Sequence, residues 1–146
     1  MGAVLRDSTQ YDKLHVKKYP GDPRERGGRV VPIPFELTVV SVSTVADTYN
    51  VCVLPANCQV VGLECATDGL GASAGAGRTC ALGDSGDADR YMVASDFDVS
   101  GANGVLAITG HGYRPTADTI VVAVSAGGAW VVGKKVKGCF YVVPAA

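Results

Sequence analysis

Between Phe35 and Val143, short apolar runs alternate with turn-forming residues at a spacing that suits strands. Phe35–Val42 places Phe35, Leu37 and Val39 on one parity. Ahead of it, Arg29-Val30-Val31-Pro32-Ile33-Pro34 carries two prolines that suit an edge or an extended lead-in. Thr48–Leu54 follows a break at Ala46-Asp47, Pro55-Ala56-Asn57 reads as a turn, and Cys58–Cys65 is the next strand. A Gly/Ala/Ser loop spans 68–77, and Arg78–Leu82 is a short strand before Gly83. Asp84–Ser100 reads as polar and irregular, and within it Ala88–Ala94 fits a short helix or a strand equally. Val105–Thr109 is short and apolar. Thr119–Ala126 is β-branched and alternates weakly, the pattern of a strand buried on both faces. Gly127-Gly128 turns the chain, and Trp130–Val132 and Val136–Val143 complete it. These runs predict roughly eight strands in a single domain over residues 30–146, an all-β, jelly-roll-like β-sandwich.

Composition supports that class. The chain has 146 residues, the size of one domain, and 47% of them are hydrophobic, enough for a core. Valine favours strands, and 19 glycines supply the tight connections. No run approaches the ~18 apolar residues of a membrane helix. No apolar run follows the first charge at the N-terminus, so synthesis in a cytosol is the expectation.

Charge divides the chain in two. Net charge is −1, which gives no global case for nucleic acid or membrane. Residues 1–29 nevertheless hold Arg6, Lys13, Lys17, Lys18, Arg24, Arg26 and Arg29 against Asp7, Asp12, Asp22 and Glu25, a net +3 that leaves −4 for the remainder. The segment lacks period-2 alternation and contains breakers at Tyr19-Pro20-Gly21-Asp22-Pro23 and Gly27-Gly28. It reads as an extended basic arm. Its apolar anchors Val4, Leu5, Leu14 and Val16 suit a segment that orders on a partner better than a plain tail. The candidate partner-binding residues are Lys13, Lys17, Lys18, Tyr19, Arg24, Arg26 and Arg29, facing acidic neighbours.

Candidate chemistry is thin. Gly83-Asp84-Ser85-Gly86 resembles the nucleophile sequence of chymotrypsin-like serine proteases, where a histidine takes the serine proton and an aspartate orients it. His15, Asp47 and Ser85 have the required chain order, but their surroundings do not match that family, and Asp87 replaces the usual continuation. Gly, Asp and Ser are also common turn formers, and a polar turn is the expectation. Asp84, Asp87, Asp89, Asp96 and Asp98 form a loose acidic group without the closing glutamate of an EF-hand, so solvated loop charge, or a salt-bridging surface for a basic partner, outweighs calcium binding. Gly69–Gly77 lacks the Lys and Ser/Thr of a phosphate loop. Cys52, Cys58, Cys65, Cys80 and Cys139 contain no Cys-x-x-Cys pair, and with two histidines they read as buried, reduced hydrophobes. His111 between glycines reads as a turn residue, and Trp130 as a core or interface aromatic. No cofactor, metal or enzymatic activity is expected.

Three stretches taken together carry a resemblance. They are Leu54-Pro55-Ala56-Asn57-Cys58-Gln59-Val60-Val61-Gly62-Leu63 running on to Asp68-Gly69-Leu70-Gly71; Gly86-Asp87-Ala88-Asp89-Arg90-Tyr91 with Asp98-Val99-Ser100; and Gly112-Tyr113-Arg114-Pro115-Thr116-Ala117-Asp118-Thr119-Ile120-Val121-Val122 with Gly127-Gly128. Their order resembles head decoration, or cement, proteins of tailed bacteriophages over roughly residues 35–143. The resemblance implies a β-sandwich on the outer surface of an icosahedral head. It implies binding to the major capsid protein as a dimer or trimer, with no direct contact to nucleic acid or membrane, and synthesis in a bacterial cytoplasm. The basic arm and the five cysteines depart from that pattern. A head–tail adaptor or tail component is the neighbouring expectation. From other classes come a small hydrolase using Ser85 and a sugar-binding module stacking on Trp130.

Overall fold

The computed structural model describes residues 30–40, 48–71 and 76–145. Among them lie eight strands: β1 (Val31–Thr38), β2 (Thr48–Leu54), β3 (Gln59–Asp68), β4 (Thr79–Asp84), β5 (Asp87–Asp96), β6 (Ser100–Val105), β7 (Thr119–Ala126) and β8 (Lys135–Val143). They form two four-stranded sheets, ordered β1-β8-β3-β6 and β2-β7-β4-β5, and every pairing is antiparallel.

The order has a simple generator. The first strand pairs with the last, the second with the seventh, the third with the sixth and the fourth with the fifth. A long hairpin with its tip at β4–β5 therefore rolls up on itself. The β3·β8 and β4·β7 ladders then complete the two sheets. This is the jelly roll, and the expectation of an all-β sandwich holds.

Alternation explains the core. β1 turns Ile33, Phe35 and Leu37 inward, and β8 turns Val136, Phe140 and Val142 inward. The facing sheet contributes Val51, Val121, Ala123, Leu82, Tyr91 and Met92. Phe140 is fully buried, meets Phe35 at 5.8 Å and receives the Tyr91 ring edge-on at 5.5 Å. A side chain of that size contributes about 2–3 kcal/mol through burial. Trp130 stacks on Tyr49 at 5.2 Å and donates its ring N–H to the Thr79 carbonyl.

Turn chemistry also follows the sequence. Asn57 adopts φ 61° between β2 and β3, a left-handed position that asparagine tolerates. Gly127 has φ 77°, and a Cβ there would lie 1.6 Å from the Gly77 carbonyl oxygen, so only glycine fits.

Several expectations need correction. The first strand begins at Val31, not Phe35, so Pro32 and Pro34 lie inside it; prolines are tolerated there because β1 is an edge. The third strand runs on past Cys65 to Asp68. Most of 84–100 is not irregular: Asp87–Asp96 is a ten-residue edge strand in which only Tyr91 and Met92 are buried. Val105–Thr109 is not a strand. β6 ends at Val105, and Ile108 sits in a turn with 88% exposure. β7 is buried on one face and only half-buried on the other. Trp130–Val132 is loop, and it is there to deliver the indole to the core.

Candidate interaction surface

The predicted contact residues Lys13, Lys17, Lys18, Tyr19, Arg24, Arg26 and Arg29 all lie outside the described residues. So do His15 and Asp47. What the body offers a partner is therefore read from the sandwich itself.

The outer face of the β1-β8-β3-β6 sheet carries charge in stripes, one sign per strand. On β1, Glu36 sits opposite Lys137 and binds Lys135 Nζ at 2.9 Å and Lys137 Nζ at 3.4 Å. The hydrogen bond from Lys135 holds the Glu36 carboxyl below its usual range. These exposed pairs are screened by solvent and contribute little to stability, so their value is in the pattern they set. On β3, Glu64, Ala66 and Asp68 point outward in alternation with buried Leu63, Cys65 and Thr67. Glu64 accepts the Tyr141 hydroxyl at 2.6 Å, which pushes Tyr141 up to about 12. Asp68 accepts the Lys135 backbone N–H at 2.7 Å. Neither Glu64 nor Asp68 has a lysine or arginine partner among the described residues, because the β8 lysines turn to Glu36. Strand β6 is uncharged, with Asn103 opposite Ala66 and Val105 opposite Glu64. Reading Cys65 as a strand end hid this stripe; the signal available was the continued alternation to Asp68.

The two rims of this sheet differ. β1 has Pro32 and Pro34, both exposed and both without an N–H. β6 has neither proline nor charge, and among the described residues its one ladder partner is β3. Val105 is 72% exposed on it. The chain after β6 runs back along β5: Ala107 N–H donates to the Tyr91 carbonyl at 2.7 Å and Thr109 Oγ1 to the Arg90 carbonyl at 2.8 Å. Exposed Val93, Val105 and Ile108 thus belong to one flank of the sandwich.

The Gly83-Asp84-Ser85-Gly86 stretch is a hairpin tip. Asp84 pairs with Asp87 across Ser85-Gly86. Its carboxylate accepts the backbone N–H groups of Gly86 and Asp87 at 2.9 and 3.1 Å, Arg90 Nε at 2.8 Å and the Tyr91 hydroxyl at 2.9 Å. Burial opposes its ionisation, but the bonds from Arg90, Tyr91 and Gly86 outweigh burial and hold the carboxyl below its ordinary range. The same Arg90 lies 4.1 Å over the Tyr113 ring. Asp84 is thus committed to the turn, and exposed Ser85 is hydrogen-bonded to no histidine among the described residues.

Asp87, Asp96 and Asp98 also hold backbone. Asp98 accepts the N–H groups of Gly77 and Arg78, both at 2.7 Å, which outweighs its burial and lowers its pKa. Asp96 accepts the Asp98 N–H at 3.0 Å and Asp87 the Asp89 N–H at 3.3 Å. No group of three potential metal ligands converges among the described residues. Four cysteines are buried and Cys139 is half-buried. Burial raises Cys58 and Cys65 to about 11 and raises Cys52 and Cys80 as well, so these thiols are poor nucleophiles. His111 is exposed in a turn, as its glycine neighbours imply.

No protein-family model matches the chain, and no curated protein matches it. Solved structures do. A chain in the capsid asymmetric unit of cyanophage Pam1 is similar at 27% identity and a TM-score of 0.68, over 82% of this chain and 88% of that one. A chain in the capsid of Ralstonia phage GP4 shares the fold with a TM-score of 0.75 at 18% identity, over 98% and 99% of the two chains. A chain in the acid-stable capsid of Helicobacter pylori bacteriophage KHP30 does so with 0.59 at 18%, over 82% and 92%. The chain is thus a jelly-roll sandwich similar to chains of phage capsids.

Proposed function

We propose that this chain is a structural virion protein that binds the outside of a phage icosahedral head and cements the shell of the major capsid protein. The observation that carries the reading is the likeness to the Pam1 capsid chain across the sandwich. The use of polar side chains agrees with it, since Asp84, Asp96 and Asp98 hold turns and strand ends. A cement protein needs a rigid body and contact area, and many weak contacts on one shell add up through avidity. In this reading the chain is made in the bacterial cytoplasm and joins the virion as a homo-oligomer, a dimer or trimer. Lys13, Lys17, Lys18, Tyr19, Arg24, Arg26 and Arg29 supply contacts to acidic neighbours, and no enzymatic step is involved.

The test is copy number in purified particles, by quantitative mass spectrometry against the major capsid protein. A ratio near one supports a shell-covering protein. About a dozen copies or fewer, the number a single vertex or tail holds, overturns it, and so does absence. Removing residues 1–29 is expected to weaken shell binding while thermal unfolding of the body stays unchanged. An armless chain that decorates shells with normal affinity removes the arm from the contact.

A further inference from the structure

The outer sheet face has a charge order of acidic β1, basic β8, acidic β3 and uncharged β6, ending at a rim with no further strand among the described residues. A strand added beside β6 meets three things. Its backbone finds the rim that β3 leaves unpaired among the described residues. Its outward side chains lie over Val105 and Asn103 toward Glu64 and Asp68, the two carboxylates of this face without a cationic partner among the described residues. Its other side chains lie along the flank that exposes Val93 and Ile108.

These requirements describe an alternating basic and apolar segment. Residues 1–29 lack alternation as a whole, yet Lys13-Leu14-His15-Val16-Lys17 alternates over five residues. Lys13 and Lys17 are four apart, as are Glu64 and Asp68. Side chains four apart on neighbouring strands keep the same spacing, about 13 Å. A lysine stem laid over Val105 brings its ammonium within reach of Glu64 two strands away. We propose that the β6 rim receives residues 13–17 of a second copy of this chain, by strand addition.

The second copy is favoured over the chain's own segment by where that segment joins the body. Val30 leads into β1, the opposite rim, about 14 Å or three strand spacings from β6. To reach its own β6 across this face, the intervening stretch with Lys18, Arg24, Arg26 and Arg29 has to pass Lys135 and Lys137. A neighbour's segment avoids that crossing. Direct pairing of two β6 rims is disfavoured, because it brings the Glu64 and Asp68 stripes of both copies together.

The inference deepens the reading of the arm as a contact segment, but its test needs no shell. Sedimentation of the full-length chain reads self-association directly, and shell binding is measured apart from it, so either can fail alone. Wild type is expected to self-associate, more weakly as salt rises. The variants Lys13→Glu/Lys17→Glu and Glu64→Lys/Asp68→Lys are each expected to lose association by at least about tenfold. An equimolar mixture of the two regains it, because an acidic arm then meets a basic rim. Glu64→Gln/Asp68→Asn removes the charge while keeping acceptors for Tyr141 and the Lys135 N–H, and guards against a folding defect. Unchanged association of these variants overturns the proposal, as does a monomeric wild-type chain or a mixture that stays monomeric.

Discussion

The two rims of one sheet solve the problem of a free strand edge in opposite ways. β1 anchors itself with large side chains, Ile33, Phe35 and Leu37, and blunts its outside with Pro32 and Pro34. β6 turns only Ala102 and Gly104 inward, and its outside carries neither proline nor charge. Gly104 is hemmed in: a Cβ there would lie 2.1 Å from Met92 Sδ and 2.9 Å from Cys65 Sγ. One rim is thus held by bulk and closed to additions, and the other is held by close approach and has no second ladder partner among the described residues. Closed edges protect a soluble protein, so an open one points to use.

The contrast can be broken from either end. The largest effect is expected from Phe35→Ala on the bulky rim, a loss of about 3–5 kcal/mol by denaturant unfolding. A loss under about 1 kcal/mol would show that β1 is not anchored by its inward side chains. Gly104→Ala on the close-packed rim should cost about 1–3 kcal/mol through overpacking, and a neutral result would mean that Met92 and Cys65 yield easily.

Acid should separate the flanks. Asp84, which fixes the β4–β5 tip, and Asp98, which ties the β5–β6 connection to the lead-in of β4, both have depressed pKa values. Their stabilisation is fully present above the unfolded value of about 3.9 and is lost as pH falls through and below it. Hydrogen exchange near pH 3 is then expected to deprotect β5 and β6 before β8. Glu36 is also depressed but is exposed, so its protonation should matter less. Simultaneous loss across the sheet would contradict this order. Pro34→Thr should change stability by no more than about 0.5 kcal/mol yet restore an N–H to the β1 rim and raise self-association in sedimentation. The smallest effect is expected for Lys137→Ala, at most about 0.5 kcal/mol by thermal unfolding.

What could be read from the chain follows from how strands announce themselves. β2, β7 and β8 are rich in valine, and their apolar runs mark them plainly. β5 does not, because an edge strand needs few buried positions: Tyr91 and Met92 sit among Asp87, Asp89, Ser95 and Asp96. β6 hides for a related reason, since Gly104 fits a crowded site by being small and Gly101 takes a left-handed φ of 88°, and strand propensity penalises glycine. Trp130–Val132 misleads in the other direction, as apolar residues in a loop that plugs the core. The Gly83–Gly86 turn was legible as such, but the aspartates read as solvated loop charge, whereas Asp84 and Asp98 are buried and hold backbone N–H groups. The Glu64–Asp68 stripe was not legible, because its meaning depends on β8 pairing its lysines with β1, and no local pattern carries that.

The rolled hairpin also sets a timetable for synthesis. Val31 finds its ladder partner in Val142, almost at the other end of the body. At about 5–20 residues per second, a nascent β1 waits on the order of ten seconds for the strand that will cover it. Throughout that interval β1 lacks its ladder partner, and the ribosome presents an unpaired strand to neighbouring nascent chains. Pro32 and Pro34 deny such a chain two of the donors it would need, so the same residues that close the finished rim chaperone the unfinished one.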